Sequence, residues 1–270
     1  MSNRWFLCGD IHGRTHPIEN FIRRMEGKYE FDGSDKIILL GDAGFNFFLG
    51  DRHYQGGKAD ENFKKKMSKF PFTYYVVRGN HEERPSKMMV TSPEFWKYTY
   101  DEEVHGMVYY EMKFPQIRYF DDIPSVYYIN GYDTLVMGGA YSIDKYYRLM
   151  NNWTWFAGEQ MTEEERQIAL DLCEAEGWQF DLVLSHTCPI CFEPTDLFLQ
   201  NVDQSTVDKS MERLFGEIEY KLNYGVWCWG HFHEYRDYPR CGDGRAQLML
   251  AWDYLVDLTQ IMEEDIPEKL

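Results

Sequence analysis

Asp10 and His12 stand two residues apart in Cys8-Gly9-Asp10-Ile11-His12-Gly13-Arg14, directly after the run Arg4-Trp5-Phe6-Leu7-Cys8. An anionic oxygen and an imidazole nitrogen held side by side suit a borderline divalent transition ion better than calcium or magnesium. Taken alone the spacing is common, and a turn carrying a surface histidine accounts for it. The same order, apolar run, glycine or tight turn, then ligand-type residues, recurs four times downstream. Residues 36–40 run into Gly41-Asp42-Ala43-Gly44, and residues 72–77 into Arg78-Gly79-Asn80-His81-Glu82. Residues 180–184 run into Ser185-His186-Thr187-Cys188-Pro189, and residues 225–229 into Gly230-His231-Phe232-His233. Together the five ends offer Asp10, His12, Asp42, Asn80, His186, His231 and His233.

To bring these residues together, each apolar run must be a short buried strand that stops where the backbone can turn. A helix over residues 17–27, with Ile18, Phe21, Ile22 and Met25 on one face, follows the first strand, and a charged helix over 60–69 follows the second. Such alternation predicts parallel neighbours and a ligand site outside the strands' carboxyl ends. Residues 83–103 read as a polar insertion without a clean period. Segments 107–112, 117–120, 126–129 and 134–137 read as strands of a second sheet packed on the first. Thr162-x-x-Glu165 is a capping box that opens a helix running to about Gly177. A helix over 206–222 carries Val207, Met211, Leu214, Ile218 and Leu222 as its apolar stripe. Residues 248–258 supply a last strand, and Glu263-Glu264-Asp265 a solvated end.

In this order the five blocks resemble the calcineurin-like metallophosphoesterase superfamily, whose blocks are Gly-Asp-x-His, Gly-Asp, Gly-Asn-His-(Asp/Glu), a lone His and Gly-His-x-His. The resemblance spans residues 9–233. It implies an α/β (α+β, four-layer) fold, two stacked mixed β-sheets flanked by helices. Mapped onto the matching positions, it implies that Asp10, His12 and His233 hold one divalent ion and Asn80, His186 and His231 a second, with Asp42 bridging. It further implies that His81 protonates the leaving alkoxide as a general acid. The phosphoprotein phosphatase branch continues its second block with Val-Asp-Arg-Gly, an Asp to orient the acid histidine and an Arg to grip phosphate. Here Gly41-Asp42-Ala43-Gly44-Phe45-Asn46 has neither. Glu82 is one candidate for the orienting role, or else a solvated acid at a strand end. Substrate grip is expected from Arg14, Asn46 and Arg78 beside the metal blocks, and from Arg148 in the loop 141–148, which also reads as a packed tyrosine loop. Residues 194–205 could form a lid beside His186.

Charge supports the same chemistry. Two divalent ions bring four positive charges; Asp10 and Asp42 cancel two and a bridging hydroxide a third, leaving a centre of about +1 that attracts a phosphate ester. The nucleophile is then water, and neither Ser nor Cys is required. Manganese, iron, zinc and nickel all accept such mixed nitrogen and oxygen donors. The substrate expected is a phosphomonoester or phosphodiester of modest size, a nucleotide or phosphopeptide among them. With 28 Lys+Arg against 45 Asp+Glu the chain carries a net charge of -17, and only Lys64-Lys65-Lys66 forms a basic run. Tight binding to extended nucleic acid, which needs clustered positive charge, is therefore disfavoured, and with it a nuclease. A catalytically inactive binding scaffold would show a substituted metal ligand, and none is substituted. At 270 residues, 44% hydrophobic and 17% aromatic, without linker or repeat, the chain reads as a single domain over 1–270. It has no apolar segment of signal-peptide or membrane-spanning type, so it is expected to be cytoplasmic, with its six cysteines reduced. Cys188-x-x-Cys191 lacks a second pair and reads as one packed thiol and one loop thiol.

Overall fold

The computed structural model describes residues 3–49, 57–198, 203–238, 245–251, 253 and 255–263. In chain order the elements are β1 (Trp5–Cys8), α1 (His16–Met25), β2 (Lys36–Leu39), α2 (Lys58–Met67), β3 (Thr73–Val76), α3 (Pro85–Thr91), β4 (Trp96–Asp101), β5 (Gly106–Glu111) and β6 (Ile117–Phe120). There follow β7 (Ser125–Ile129), β8 (Tyr132–Met137), α4 (Lys145–Met150), α5 (Glu163–Ala175), β9 (Gln179–Ser185), α6 (Ser210–Lys221) and β10 (Asn223–Trp229). β11 (Arg236–Tyr238), β12 (Ala246–Met249), β13 (Leu255–Asp257) and α7 (Leu258–Glu263) complete them.

Two mixed sheets result, ordered β13-β1-β2-β3-β6-β5-β4 and β11-β12-β10-β9-β8-β7. Each has four parallel strands at its centre and antiparallel strands at its edges. β1 and β2 are buried along their whole length, as continuous apolar runs in parallel sheets must be. Between the sheets Leu7, Ile38, Leu40, Tyr75 and Val77 meet Val136, Leu182, Leu184, Val226, Cys228 and Leu248 in one core. The outer face of the first sheet packs Phe6, Ile37, Leu39 and Val76 against Ile18, Phe21 and Met25 of α1 and Phe63 and Met67 of α2. The outer face of the second packs Leu135, Val183, Trp227 and Met249 against Ala169 and Cys173 of α5 and Met211, Leu214, Phe215 and Ile218 of α6. The layers are therefore helix, sheet, sheet, helix, the expected architecture.

Register decides where the motifs fall. Cys8 pairs with Leu39, Leu39 with Val76, and Cys228 with Leu184, so the carboxyl ends of five parallel strands are level. The turns that carry the ligand-type residues leave from this common edge.

Three expectations need correction. Of the strands in the middle of the chain only β7 and β8 join the second sheet; β5 and β6, with β4 from the 83–103 insertion, extend the first beyond β3. The insertion escaped notice because β4 is an edge strand with only its ends, Trp96 and Asp101, buried, and its exposed Tyr98 stacks on Tyr109 at 4.2 Å. The segment 248–258 is not one strand but the end of β12 and all of β13, which lie in different sheets. The helix expected over 206–222 starts only at Ser210, so Val207 precedes it and leaves the stripe. The capping box is present, with Thr162 Oγ1 accepting from Glu165 N at 3.2 Å and Thr162 N donating to Glu165 Oε2 at 2.9 Å. No helix among the described residues is long and apolar enough to cross a membrane. Cys8, Cys173, Cys188 and Cys228 are buried thiols outside any disulfide, and Cys191 an exposed one. Glu264 and Asp265 of the expected solvated end, and residues 199–202 of the expected lid, lie outside the described residues.

Candidate metal centre

Two buried aspartates organise the site. Asp10 Oδ1 accepts the backbone N–H of His231 at 2.9 Å, and Asp42 Oδ1 that of His81 at 2.8 Å. The His231 amide directly follows Gly230 and the His81 amide lies two residues after Gly79, and at each glycine a Cβ would collide with the same Oδ1 atom. The carboxylates thus spend their inner oxygens on the turns of other strands and turn the outer ones to the histidines. His233 Nε2 lies 3.3 Å and His12 Nε2 3.8 Å from Asp10 Oδ2, and His81 Nε2 lies 3.9 Å from Asp42 Oδ2. Burial alone would raise both carboxyls. It is outweighed at Asp10 by His186, the His233 contact and His12, and at Asp42 by His81, His186 and His12, so both are held below the usual range and remain ionised.

The donor set itself tests whether cations fit. The ring of His186 points Nδ1 at the Leu40 carbonyl, 2.7 Å away, which can only accept, so Nδ1 carries a proton and Nε2 is the nitrogen left for a ligand. Nε2 faces Asn80 Oδ1 at 2.8 Å, while Asn80 Nδ2 donates to Ser142 Oγ, also at 2.8 Å. His12 Nε2 and His233 Nε2 face each other at 2.8 Å. Asp10 Oδ2 is fully shielded, with His233 Nε2 at 3.3 Å and His12 Nε2 at 3.8 Å as its imidazole neighbours. Imidazole nitrogens crowded against one another, against a carboxamide oxygen and against a shielded carboxylate form a donor set that shared cations would satisfy at once. Two groups of donors lie within 4.8 Å of one another, Asp10, His12 and His233 in one and Asp10, Asp42 and His186 in the other. The residues present fit divalent metal.

Four of the ligand-type residues, His12, Asp42, His231 and His233, have left-handed backbones, with φ of 44°, 46°, 69° and 58°. Side chains other than glycine, Asn and Asp rarely adopt this region, and its use here turns successive donors inward. His231 is half-buried with its ring against that of His186 at 5.0 Å; loss of water, then His186, push its pKa down to about 3. Burial also lowers His12 and His81 against the pull of Asp42, with Arg148 adding to the effect at His81. His233 alone moves up, through its bond to Asp10.

The four residues expected to grip substrate divide. Arg148 lies beside His81, with Nη2 at 3.5 Å from Nε2, Nε donating to Asp144 Oδ2 at 2.8 Å, and its guanidinium over the Phe47 ring. Arg14 is exposed on the turn after His12. Arg78 and Asn46, by contrast, are not brought to the open face. Arg78 is buried and donates to the carbonyls of Gly158, Glu159 and Gly138, and Asn46 is buried with its Oδ1 accepting from Lys64 Nζ at 2.8 Å. Sequence adjacency misled here, because the turn sends alternate side chains below the site. Glu82 does not orient His81 either: its Oε1 accepts from the N–H groups of Gly44 and Phe45 and so shapes the turn after Asp42, and burial with Asp42 nearby raises it to about 8. The 141–148 segment is not a packed tyrosine loop, since Tyr146 and Tyr147 are exposed on α4.

A cavity of about 450 Å³ opens over the cluster. Asp42, Asn80, His81, His231 and His233, the ligand-type part of the lining, make a first wall; Ile143, Leu197, Phe198, Val207, Lys209 and Glu212, from segments outside the sheets, make a second. Leu197 and Phe198 fall in the segment expected as a lid and Ile143 in the loop 141–148, whereas Val207 was expected in a helix stripe and Glu212 was not singled out from sequence.

A mixed α/β sandwich whose level strand ends converge ionised aspartates, histidines and an asparagine on one cavity defines a phosphoesterase-type metal site. The chain belongs to the calcineurin-like phosphoesterase family, whose sequence model matches residues 4–235. It is 33% identical over 78 residues to serine/threonine-protein phosphatase SIT4 of Candida albicans, a stretch covering 29% of this chain and 23% of that relative, so less than a quarter of the curated relative is spanned. One solved structure, 14% identical, matches over 96% of both chains with a TM-score of 0.51, a likeness of fold. The phosphopantetheinyl hydrolase of Mycobacterium tuberculosis, 13% identical over 94% of this chain and 92% of its own, gives 0.43.

Proposed function

We propose that this chain is a phosphoester hydrolase that uses two divalent ions and water, with a phosphoester of modest size as substrate. Asp10, His12 and His233 would hold one ion, Asn80, His186 and His231 the other, and Asp42 both. When bound, the ions supply positive charge for the phosphoryl oxygens and acidify water toward neutral pH. The observation that carries this reading is the convergence of two donor groups that share Asp10, one with His12 and His233 and the other with Asp42 and His186, the ligand atoms of each group within 4.8 Å of one another.

The chain's own groups do the rest. Leu40 fixes the tautomer of His186 from behind, and Ser142 fixes the amide of Asn80. His81 faces the cavity and is the group able to deliver a proton from Nε2 to a departing alkoxide. Burial and Arg148 disfavour its charged form in the free protein; a bound phosphoryl dianion reverses that balance and lets the imidazolium form where it is needed. Arg148, held by Asp144, positions this ring and is available to the phosphoryl group, with exposed Arg14 at the mouth.

Elemental analysis of the purified protein, alongside turnover of 4-nitrophenyl phosphate and bis(4-nitrophenyl) phosphate, tests the proposal. About two equivalents of transition metal and chelator-sensitive hydrolysis of either ester are expected. Metal-free protein that hydrolyses both at full rate, or metal-loaded protein that hydrolyses neither, would sink it.

A further inference from the structure

The second wall of the cavity is built from segments that the phosphoryl chemistry does not use. Leu197, Phe198 and Val207 come from the chain between β9 and α6, and Ile143 from the loop before α4. Phe198 lies nearly parallel to Phe232, with rings 22° apart in plane and 6.4 Å between centroids. The cation on this side is already paired: Lys209 Nζ binds Glu193 Oε2 at 2.8 Å and lies over the Phe198 ring. No free cation is left among the described residues at that end for a second phosphate. A polyol would place hydroxyls against Leu197, Phe198 and Val207 without partners, which is costly.

Glu193, Gln204, Lys209 and Glu212 are polar residues within this apolar lining, and of these Glu212 keeps a buried oxygen without a partner among the described residues. Glu212 is 6% exposed and lines the cavity; its Oε1 accepts from Thr187 Oγ1 at 2.7 Å, and its Oε2 has no partner among the described residues. An unsatisfied buried oxygen in a ligand-sized cavity marks a place for a ligand's N–H or O–H.

The geometry points to a substrate whose leaving alcohol carries a planar, largely apolar ring with one hydrogen-bond donor, the ring lying on Phe198 and the donor on Glu212. This rests on the phosphoesterase reading for the phosphoryl end alone. The ring takes the place of water against Phe198 and Leu197, and the donor satisfies Glu212 Oε2. Loss of water raises the Glu212 carboxyl to about 7; with Oε1 engaged by Thr187, Oε2 accepts the ligand's donor when the carboxyl is ionised.

Non-hydrolysable phosphonates separate this specificity from catalysis. Binding of ethylphosphonate, benzylphosphonate and 3-aminobenzylphosphonate to the metal-loaded protein is measured by calorimetry. Burying one ring should tighten benzyl over ethyl by on the order of tenfold or more. The amino group should add roughly three- to tenfold, as one hydrogen bond to a buried acceptor does. Phe198→Ala should bring the benzyl-to-ethyl ratio towards one, and Glu212→Met should abolish only the gain from the amino group. Equal binding of benzyl and ethyl by the wild type, or ratios that survive both substitutions, overturns the proposal. If the ratios behave as stated while no phosphoester is turned over, the ring site stands and the hydrolase reading falls; if 4-nitrophenyl phosphate is hydrolysed but the ratios stay near one, the reverse holds.

Discussion

The two walls of the cavity are built by different rules. The wall that carries Asp42, Asn80, His81, His231 and His233 rests on turns at the level ends of buried parallel strands, tied by backbone amides to carboxylates and by the Leu40 carbonyl to His186. The second wall, with Leu197, Phe198 and Val207, comes from connecting chain outside both sheets. The first is charged, strained in its backbone and over-determined by neighbours; the second is apolar and lightly constrained. The difference teaches that reaction type is built into the sheets, whereas the choice of substrate is left to segments that can vary without disturbing them.

Substitutions should therefore sort by wall. The largest effect is expected for Asp42→Ala, which removes the acid at the heart of the first wall: kcat should fall on the order of 10³-fold or more for every ester, with loss of bound metal by elemental analysis. A variant that retained both metal and rate would break the comparison. Next comes His81→Ala, expected to lower kcat on the order of 10²-fold for benzyl phosphate, whose alkoxide needs a proton, and much less for 4-nitrophenyl phosphate, whose leaving group does not. Equal losses for the two would remove His81 from the proton-donor role.

Arg78→Met sharpens the comparison from below the first wall. Three backbone carbonyls lose their buried donor, so chemical denaturation should show a loss on the order of 2–4 kcal/mol, with KM unchanged in whatever protein remains folded. A raised KM at full stability would return Arg78 to the substrate. The smallest effect belongs to the second wall and depends on pH. Glu212 is an acid raised on folding to about 7, so the native state holds a proton that the unfolded chain has lost. Its contribution is intact below about 4.5 and declines as pH climbs to 7, by on the order of 2–3 kcal/mol. Glu212→Gln should thus gain on the wild type over that interval, in denaturation midpoints of chelated protein at pH 4.5 and 7.5. Parallel midpoints at both pH values would contradict the shift.

How much of this was legible in the sequence follows the same division. Strand ends announce themselves locally: an apolar run, a turn, and residues with lone pairs, so the seven ligand-type positions and the layered fold could be read one block at a time. The two-sheet assignment of β5 and β6 could not, because partner choice among short strands is a long-range decision that no local period encodes. Asn46 and Arg78 were misread for a related reason: proximity in sequence to a ligand says nothing about which side of a turn a side chain leaves. The second wall was legible only as a segment: 194–205 read as a lid, but Val207 was assigned to a helix stripe it does not join, and which side chains line the cavity depends on what they face.

The bond from His186 to the Leu40 carbonyl joins one sheet to the other directly beneath the ligand-type residues. Because donors on both sheets would grip the same ions, the centre would work as a clasp against shear: sliding one sheet over the other by a single residue would pull the donors out of reach. Loading with metal should then slow hydrogen exchange not only in the turns but along β2 and β9 far beneath them, and a chelated protein should become easier to clip at exposed connections remote from the cavity.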